Sequence, residues 1–232
     1  MGFLNNQRFQ RFVGGGALER FLVNRVARMQ LLFLKGHKDK DVIRLLWRTR
    51  KERASLLTGD ETFMIYSLAR AHRNMPGAMA EVGAYQGVSA KLICEAKGDK
   101  VFHVFDTFEG LPKASEPDGK VHRQKQYYCS LESVQEFLQG YPNVHLHKGL
   151  FPDSTQGLEE MTFCFVHIDV DLYESTKACL EYFYPRMAPG GVLISHDYSV
   201  LAGVKSAFAE FLADKREDLI ELPTTQCMIV KL

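Results

Sequence analysis

The 232-residue chain has few cysteines: Cys94, Cys129, Cys164, Cys179 and Cys227 form no CxxC pair and are odd in number. That excludes a disulfide frame and fits free thiols in a reducing compartment. A long uninterrupted apolar run is also missing. The most apolar early stretch, LERFLVNRVARMQLLFL (18–34), is broken by Glu19, Arg20, Arg25 and Arg28, and no signal-peptide cleavage site accompanies it. A membrane span is therefore disfavoured, and a soluble cytoplasmic protein is expected. There are no internal repeats and no low-complexity segments. The dinucleotide pattern GxGxxG is absent as well, which argues against a nicotinamide oxidoreductase.

What is present is a chain 46% hydrophobic, enough for a full core in one domain plus an appendage. The formal charge of +1 conceals a division. Residues 1–53 carry 13 Lys and Arg against 4 Asp and Glu (net +9), leaving 16 against 24 (net −8) in residues 54–232. Two parts with different roles are expected: a basic amphipathic helical extension over 1–56 and a second domain over 57–232.

Within the extension, Leu18, Phe21, Leu22, Val26, Met29 and Phe33 recur at three- and four-residue steps, placing them on one face of a helix with arginines opposite. Gly14, Gly15 and Gly16 give that helix a flexible approach. The expected role of the face is packing on the body or on a second subunit, which makes a homo-oligomer the expected state. Peripheral contact with an acidic membrane surface is the alternative. No nucleic-acid motif surrounds the basic residues, so no nucleic-acid partner is expected.

A second helix is predicted over TGDETFMIYSLARAH (58–72), where Thr58 and Glu61 have capping-box spacing. Beyond it, β-rich runs at 78–84, 101–107, 144–149, 163–171 and 191–198 alternate with helix-like segments near 87–97, 131–139, 174–186 and 203–214. Such alternation predicts an α/β fold with a doubly wound, mostly parallel sheet. At the end, DLIELP (218–223) and QCMIVKL (226–232) are too close for a parallel crossover and read as an antiparallel hairpin. The layout resembles the seven-stranded, Rossmann-like sheet of class I methyltransferases with its antiparallel last strand.

Ligands of such sheets lie beyond the carboxyl ends of the strands. In EVGAYQGVSAKLI, Gly83 and Gly87 allow a tight turn and close backbone approach, and Ser89 stands at the following helix start. Asp106 follows Glu81 by 25 residues, at the end of the second run, where an acid can accept hydrogen bonds from ribose hydroxyls. A nucleoside ligand is the expectation.

The motifs EVGAYQG, FDTFEGLP, KGLFPDS, HIDVDLYEST and APGGVLISHDY, in this order and spacing, resemble the macrocin O-methyltransferase family of S-adenosylmethionine enzymes. The resemblance implies methyl transfer from S-adenosylmethionine to an oxygen of a small-molecule acceptor, often a sugar hydroxyl. By it, Glu81, Gly83 and Gly87 surround the methionine part, Asp106 holds the ribose, and Gly149 and Phe151 lie by the adenine. Tyr85, Ser89, Thr107, Phe108 and Asp169 complete the implied cofactor-binding set. A non-catalytic S-adenosylmethionine-binding protein, using the basic arm to engage a partner or membrane, is the competing reading.

Asp169, His196 and Asp197 are the expected reaction centre. They fall at the ends of adjacent strands about 4.8 Å apart and can converge on one divalent ion or one hydroxyl. Where characterised family members read DDY, this chain reads SHDY. Neutral imidazole is a poor magnesium ligand and suits zinc, iron or nickel better. Two mechanisms stay open here: a metal held by Asp169, His196 and Asp197, or His196 as a metal-free general base. Asp171 falls on the same side as Asp169 if the strand persists, and is otherwise expected to cap the helix beginning near YEST. His103, His145, His147 and His167 are read as structural. The polar connection 113–130, with His122, Tyr127 and Tyr128, is read as a lid.

Overall fold

The computed structural model describes residues 6–14 and 16–232; Gly15, part of the glycine run noted above, lies outside them. Seven strands form one sheet in the order β3-β2-β1-β4-β5-β7-β6. They are β1 (Ala78–Val82), β2 (Phe102–Asp106), β3 (Val144–Lys148), β4 (Phe163–Ile168), β5 (Met187–Ser195), β6 (Ile220–Glu221) and β7 (Cys227–Val230). β1 to β5 pair in parallel. β7 runs antiparallel between β5 and β6, as the short final connection predicts.

Among the described residues eight α-helices accompany the sheet: α1 (Gln7–Val13), α2 (Ala17–Lys35), α3 (Lys40–Glu52), α4 (Gly59–His72), α5 (Val88–Lys97), α6 (Leu131–Phe137), α7 (Tyr173–Phe183) and α8 (Ala202–Leu212). One core layer packs Leu31, Leu46, Ile65 and Leu92 against Val104 and Phe165 of the sheet. On the other layer Leu180, Phe183 and Phe208 meet Val82, Phe105 and Val166. Strands β1 and β4 are buried along their whole length, as a parallel sheet covered on both faces requires.

The extension departs from expectation in two ways. α3 is an additional helix, capped by the Asp39 carboxylate, which accepts from the N–H groups of Asp41 and Val42, and it buries Val42, Ile43 and Leu46. In α2 the apolar face expected to pack on the body or on a second subunit does not pack on the body. Leu18, Phe21, Leu22, Val26, Met29 and Phe33 are exposed, while Ala27 and Leu31 on the opposite side are buried. The reason is polar docking. The Gln30 carbonyl accepts the free N–H groups of Gly59 and Asp60 at the start of α4, and the Asn24 carbonyl accepts from Arg50. Ala27, Leu31 and the two amide side chains, not the longer apolar stripe, seat α2 on the body.

Candidate active site

The parallel strands β1, β2, β4 and β5 end together, and a cavity of about 540 Å³ lies beyond their carboxyl ends. Where β1 leaves the sheet, its backbone passes so close to that of β4 that a Cβ on Gly83 (φ +89°) would lie 1.8 Å from the Asp169 carbonyl oxygen. Only glycine fits that crossing. The turn continues to Gly87, left-handed at φ 81°, which caps α5.

Asp106, at the end of β2, shapes this turn. Its Oδ2 accepts the N–H groups of Ala84 (2.8 Å) and Tyr85 (3.0 Å), and its Oδ1 accepts that of Phe108 (2.7 Å). Burial pushes the carboxyl pKa up, against the pull of those donors. Gly83, Tyr85, Ser89, Asp106, Thr107, Gly149, Phe151 and Asp169 all line the cavity.

Three residues of the sequence-derived set do not. Glu81 is fully buried inside the sheet, where its Oε1 meets Nδ1 of His167, its register partner on β4, at 2.8 Å. Burial raises its carboxyl pKa and His167 opposes the rise. Gly87 acts as helix cap, and Phe108 turns its ring into the core.

At the other end of the cavity, Asp169 follows β4, and His196 and Asp197 follow β5. His196 Nδ1 stands 3.2 Å from Asp169 Oδ1 and 3.1 Å from Asp197 Oδ2. Its Nε2 stands 3.3 Å from Oε2 of Glu61. Burial of the ring favours neutral imidazole, but Asp197, Asp169 and Glu61 together outweigh it and hold the His196 pKa well above its ordinary value. In turn His196 overcomes the effect of burial on Glu61 and Asp197, whose carboxyls stay below their usual range.

Asp171 is not the cap of α7. That helix starts at Tyr173, whose N–H donates to Asp118 Oδ1 (2.7 Å), reaching in from the lid. Asp171 is instead half-buried beside Asp197 and Asp169; desolvation first, and then those two carboxylates, push its pKa far up, and it hydrogen-bonds with Asp197. Four carboxyl groups, those of Glu61, Asp169, Asp171 and Asp197, thus gather around a single imidazole. The centre is therefore net negative and suits a cation.

Glu61 was legible only as the capping-box residue of α4, and it is one: its Oε2 accepts the Thr58 N–H. Its second role depends on β5 and on the Thr225 hydroxyl that holds its Oε1 (2.7 Å), contacts far away in sequence.

The connection 113–130 lies over the cavity through Val121, His122 and Tyr127. Asp118 fixes it to α7, Tyr127 points its hydroxyl toward Glu19 of α2 (3.5 Å), and the Tyr127 ring meets the edge of Tyr85 at 5.8 Å. His122 and Tyr127 line the cavity, whereas Tyr128 is 62% exposed. Tyr85, Tyr127, Asp171 and Asp197 all adopt positive φ and all line the cavity. Such concentration of backbone strain is characteristic of functional sites. His103, His145 and His147 lie apart, stacked across β2 and β3.

A sheet in this order, with a glycine turn after β1, an acid ending β2 and a net-negative centre ending β4 and β5, defines a class I methyltransferase. Residues 65–227 match the family described as Macrocin-O-methyltransferase (TylF), and the chain belongs to it. It is 29% identical over 198 residues to the 8-demethyl-8-(2,3-dimethoxy-alpha-L-rhamnosyl)-tetracenomycin-C 4'-O-methyltransferase of Streptomyces olivaceus, covering 77% of this chain and 76% of that one. It is 29% identical to the demethyldecarbamoylnovobiocin O-methyltransferase of Streptomyces niveus, over 64% of each chain. Among solved structures, the O-methyltransferase NovP superposes with a TM-score of 0.68 at 25% identity, covering 76% of this chain and 81% of that one. This chain is thus an S-adenosylmethionine-dependent O-methyltransferase.

Proposed function

We propose that the enzyme methylates a hydroxyl of a sugar or glycosylated small molecule in the cytoplasm. The observation that carries this reading is the net-negative Asp169–His196–Asp197 centre, opening into the same cavity as the Asp106 turn. Relatives that act on a rhamnosyl group and on a novobiocin precursor support the acceptor class. Five free cysteines fit a reducing compartment. Release of S-adenosylhomocysteine should be measurable with hydroxylated glycosides and absent with their hydroxyl-free analogues. Equal release from both sets would contradict the assignment.

In this reading Asp106 accepts the ribose hydroxyls on its cavity side while its other lone pairs hold the turn. Asp106→Ala loses a charge-assisted acceptor, about 1.5–3 kcal/mol, or roughly 10- to 150-fold in S-adenosylmethionine affinity. Calorimetric titration of the folded variant checks it; unchanged affinity would remove Asp106 from the ribose site.

On the acceptor side, the donor set suits a divalent cation. Asp169, His196 and Asp197 offer ligand atoms within 4.8 Å of one another, and Glu61 stands ready to accept the opposite N–H of the ring. Carboxylates behind metal-bound histidines fix the tautomer in this way. A divalent cation, when bound, lowers the pKa of the acceptor hydroxyl. The chain's own part is to orient that hydroxyl, take its proton onto the Asp169 or Asp197 carboxylate, and exclude water beneath the lid. In the cation-free centre the neighbouring carboxylates raise the His196 pKa, and a cation that takes its ring nitrogen as ligand displaces that proton, so cation affinity should rise with pH. EDTA should abolish turnover. Manganese, cobalt or zinc should restore it better than magnesium, because one ligand is imidazole nitrogen. Full turnover in EDTA would contradict the metal assignment.

A further inference from the structure

The feature that the methyl-transfer site leaves unexplained is the outward face of α2. Met29, Leu32 and Phe33 are 62%, 65% and 72% exposed, Phe21 is 55% exposed, and Phe12 of the neighbouring α1 is 79% exposed. At 100° per residue these α2 positions and Leu18 share the side opposite Ala27 and Leu31. Arg25 stands within that face and Arg28 at its edge, both exposed and neither paired with a carboxylate among the described residues. The Arg25 guanidinium lies over the Phe21 ring, 5.0 Å from its centroid.

We infer that this face docks on an anionic lipid surface, with α2 lying in the plane of the interface. No helix among the described residues is long and apolar enough to cross a membrane. A 19-residue helix is about 28 Å long and can lay a continuous apolar strip into the headgroup boundary while its arginines meet phosphates. Charge selects this occupant over a second copy of the chain. A partner α2 brings the same arginines and Glu19 as its single acid, so a helix pair sets cation against cation near its axis. An anionic bilayer supplies the missing countercharge. It also orients the enzyme, because residues 1–53 are net +9 and the rest net −8. Leu22 and Val26 are exposed on the same helix and line the cavity, so docking places the cavity mouth beside the lipid.

Flotation of the full chain with phosphatidylcholine vesicles, with and without phosphatidylglycerol, tests the inference. The protein should float with the anionic vesicles and stay behind with the neutral ones. Met29→Asp/Leu32→Asp/Phe33→Asp should reduce partitioning at least tenfold. Each basic residue near an anionic surface raises partitioning roughly fivefold, so Arg25→Glu/Arg28→Glu should also cost more than tenfold. None of these five residues lines the cavity, so S-adenosylmethionine affinity should persist in both variants and reports that they are folded. Failure of the wild-type chain to float with either vesicle would overturn the inference. So would light scattering showing a stable dimer that the triple substitution dissociates, since a second copy would then cover the face.

Discussion

Asp169→Asn should lower the rate of methyl transfer by about two to four orders of magnitude while leaving S-adenosylmethionine affinity little changed. The substitution keeps the shape of the side chain and removes the charge that accepts the hydroxyl proton, a contribution of that order in general base catalysis. Its backbone is unaffected: the Asp169 N–H still donates to the Val82 carbonyl, and the close crossing over Gly83 stays intact. Single-turnover kinetics with saturating cofactor would separate the two effects. A rate within a few-fold of wild type would leave Asp169 a structural acid, and a large loss of cofactor affinity would place it on the cofactor side instead.

His196→Ala should destabilise the fold by about 3–5 kcal/mol near neutral pH, because it strips the countercharge from the buried Glu61 and the half-buried Asp197. For a chain of this size that is on the order of 10 °C in Tm. The pH dependence follows from the shifts. A folded-state imidazole pKa raised above its unfolded value near 6.5 contributes stability that is complete below about pH 6.5 and is lost as pH rises through the raised value. The carboxyls of Glu61 and Asp197 are depressed, so their contribution is present above the ordinary carboxylate range and is lost as pH falls through their lowered values. The stability difference between wild type and His196→Ala should therefore be widest in the window between those limits. Thermal melts of metal-free protein across pH check it, and a difference independent of pH would mean that the ring acts by packing alone.

The order of elements was legible because buried parallel strands leave continuous apolar runs and the final hairpin leaves a short gap. Asp106, Asp169, His196 and Asp197 were legible because chemistry in such sheets collects just past the strand ends, and each does lie there. Glu81 shows the limit of that rule. It precedes the end of β1 by one residue, and the alternation of the strand turns it into the sheet toward His167. Glu61 and Asp118 escaped for a different reason. Each carries a local hydrogen-bonding role that accounts for its position, and the second contact, to His196 or to the Tyr173 N–H, comes from more than 50 residues away. The orientation of α2 was hidden because its apolar stripe is the stronger periodic signal, whereas the body binds its amides together with Ala27 and Leu31.

The most direct test of the central claim is the fate of an isotopically labelled methyl group carried on S-adenosylmethionine, followed by mass spectrometry and NMR of the acceptor. The account predicts one label per S-adenosylhomocysteine released, bound to a hydroxyl oxygen of a glycosylated acceptor, and no transfer by Asp169→Asn. Label on nitrogen or carbon, or cofactor bound tightly with no label leaving it in the presence of hydroxylated glycosides, would contradict it.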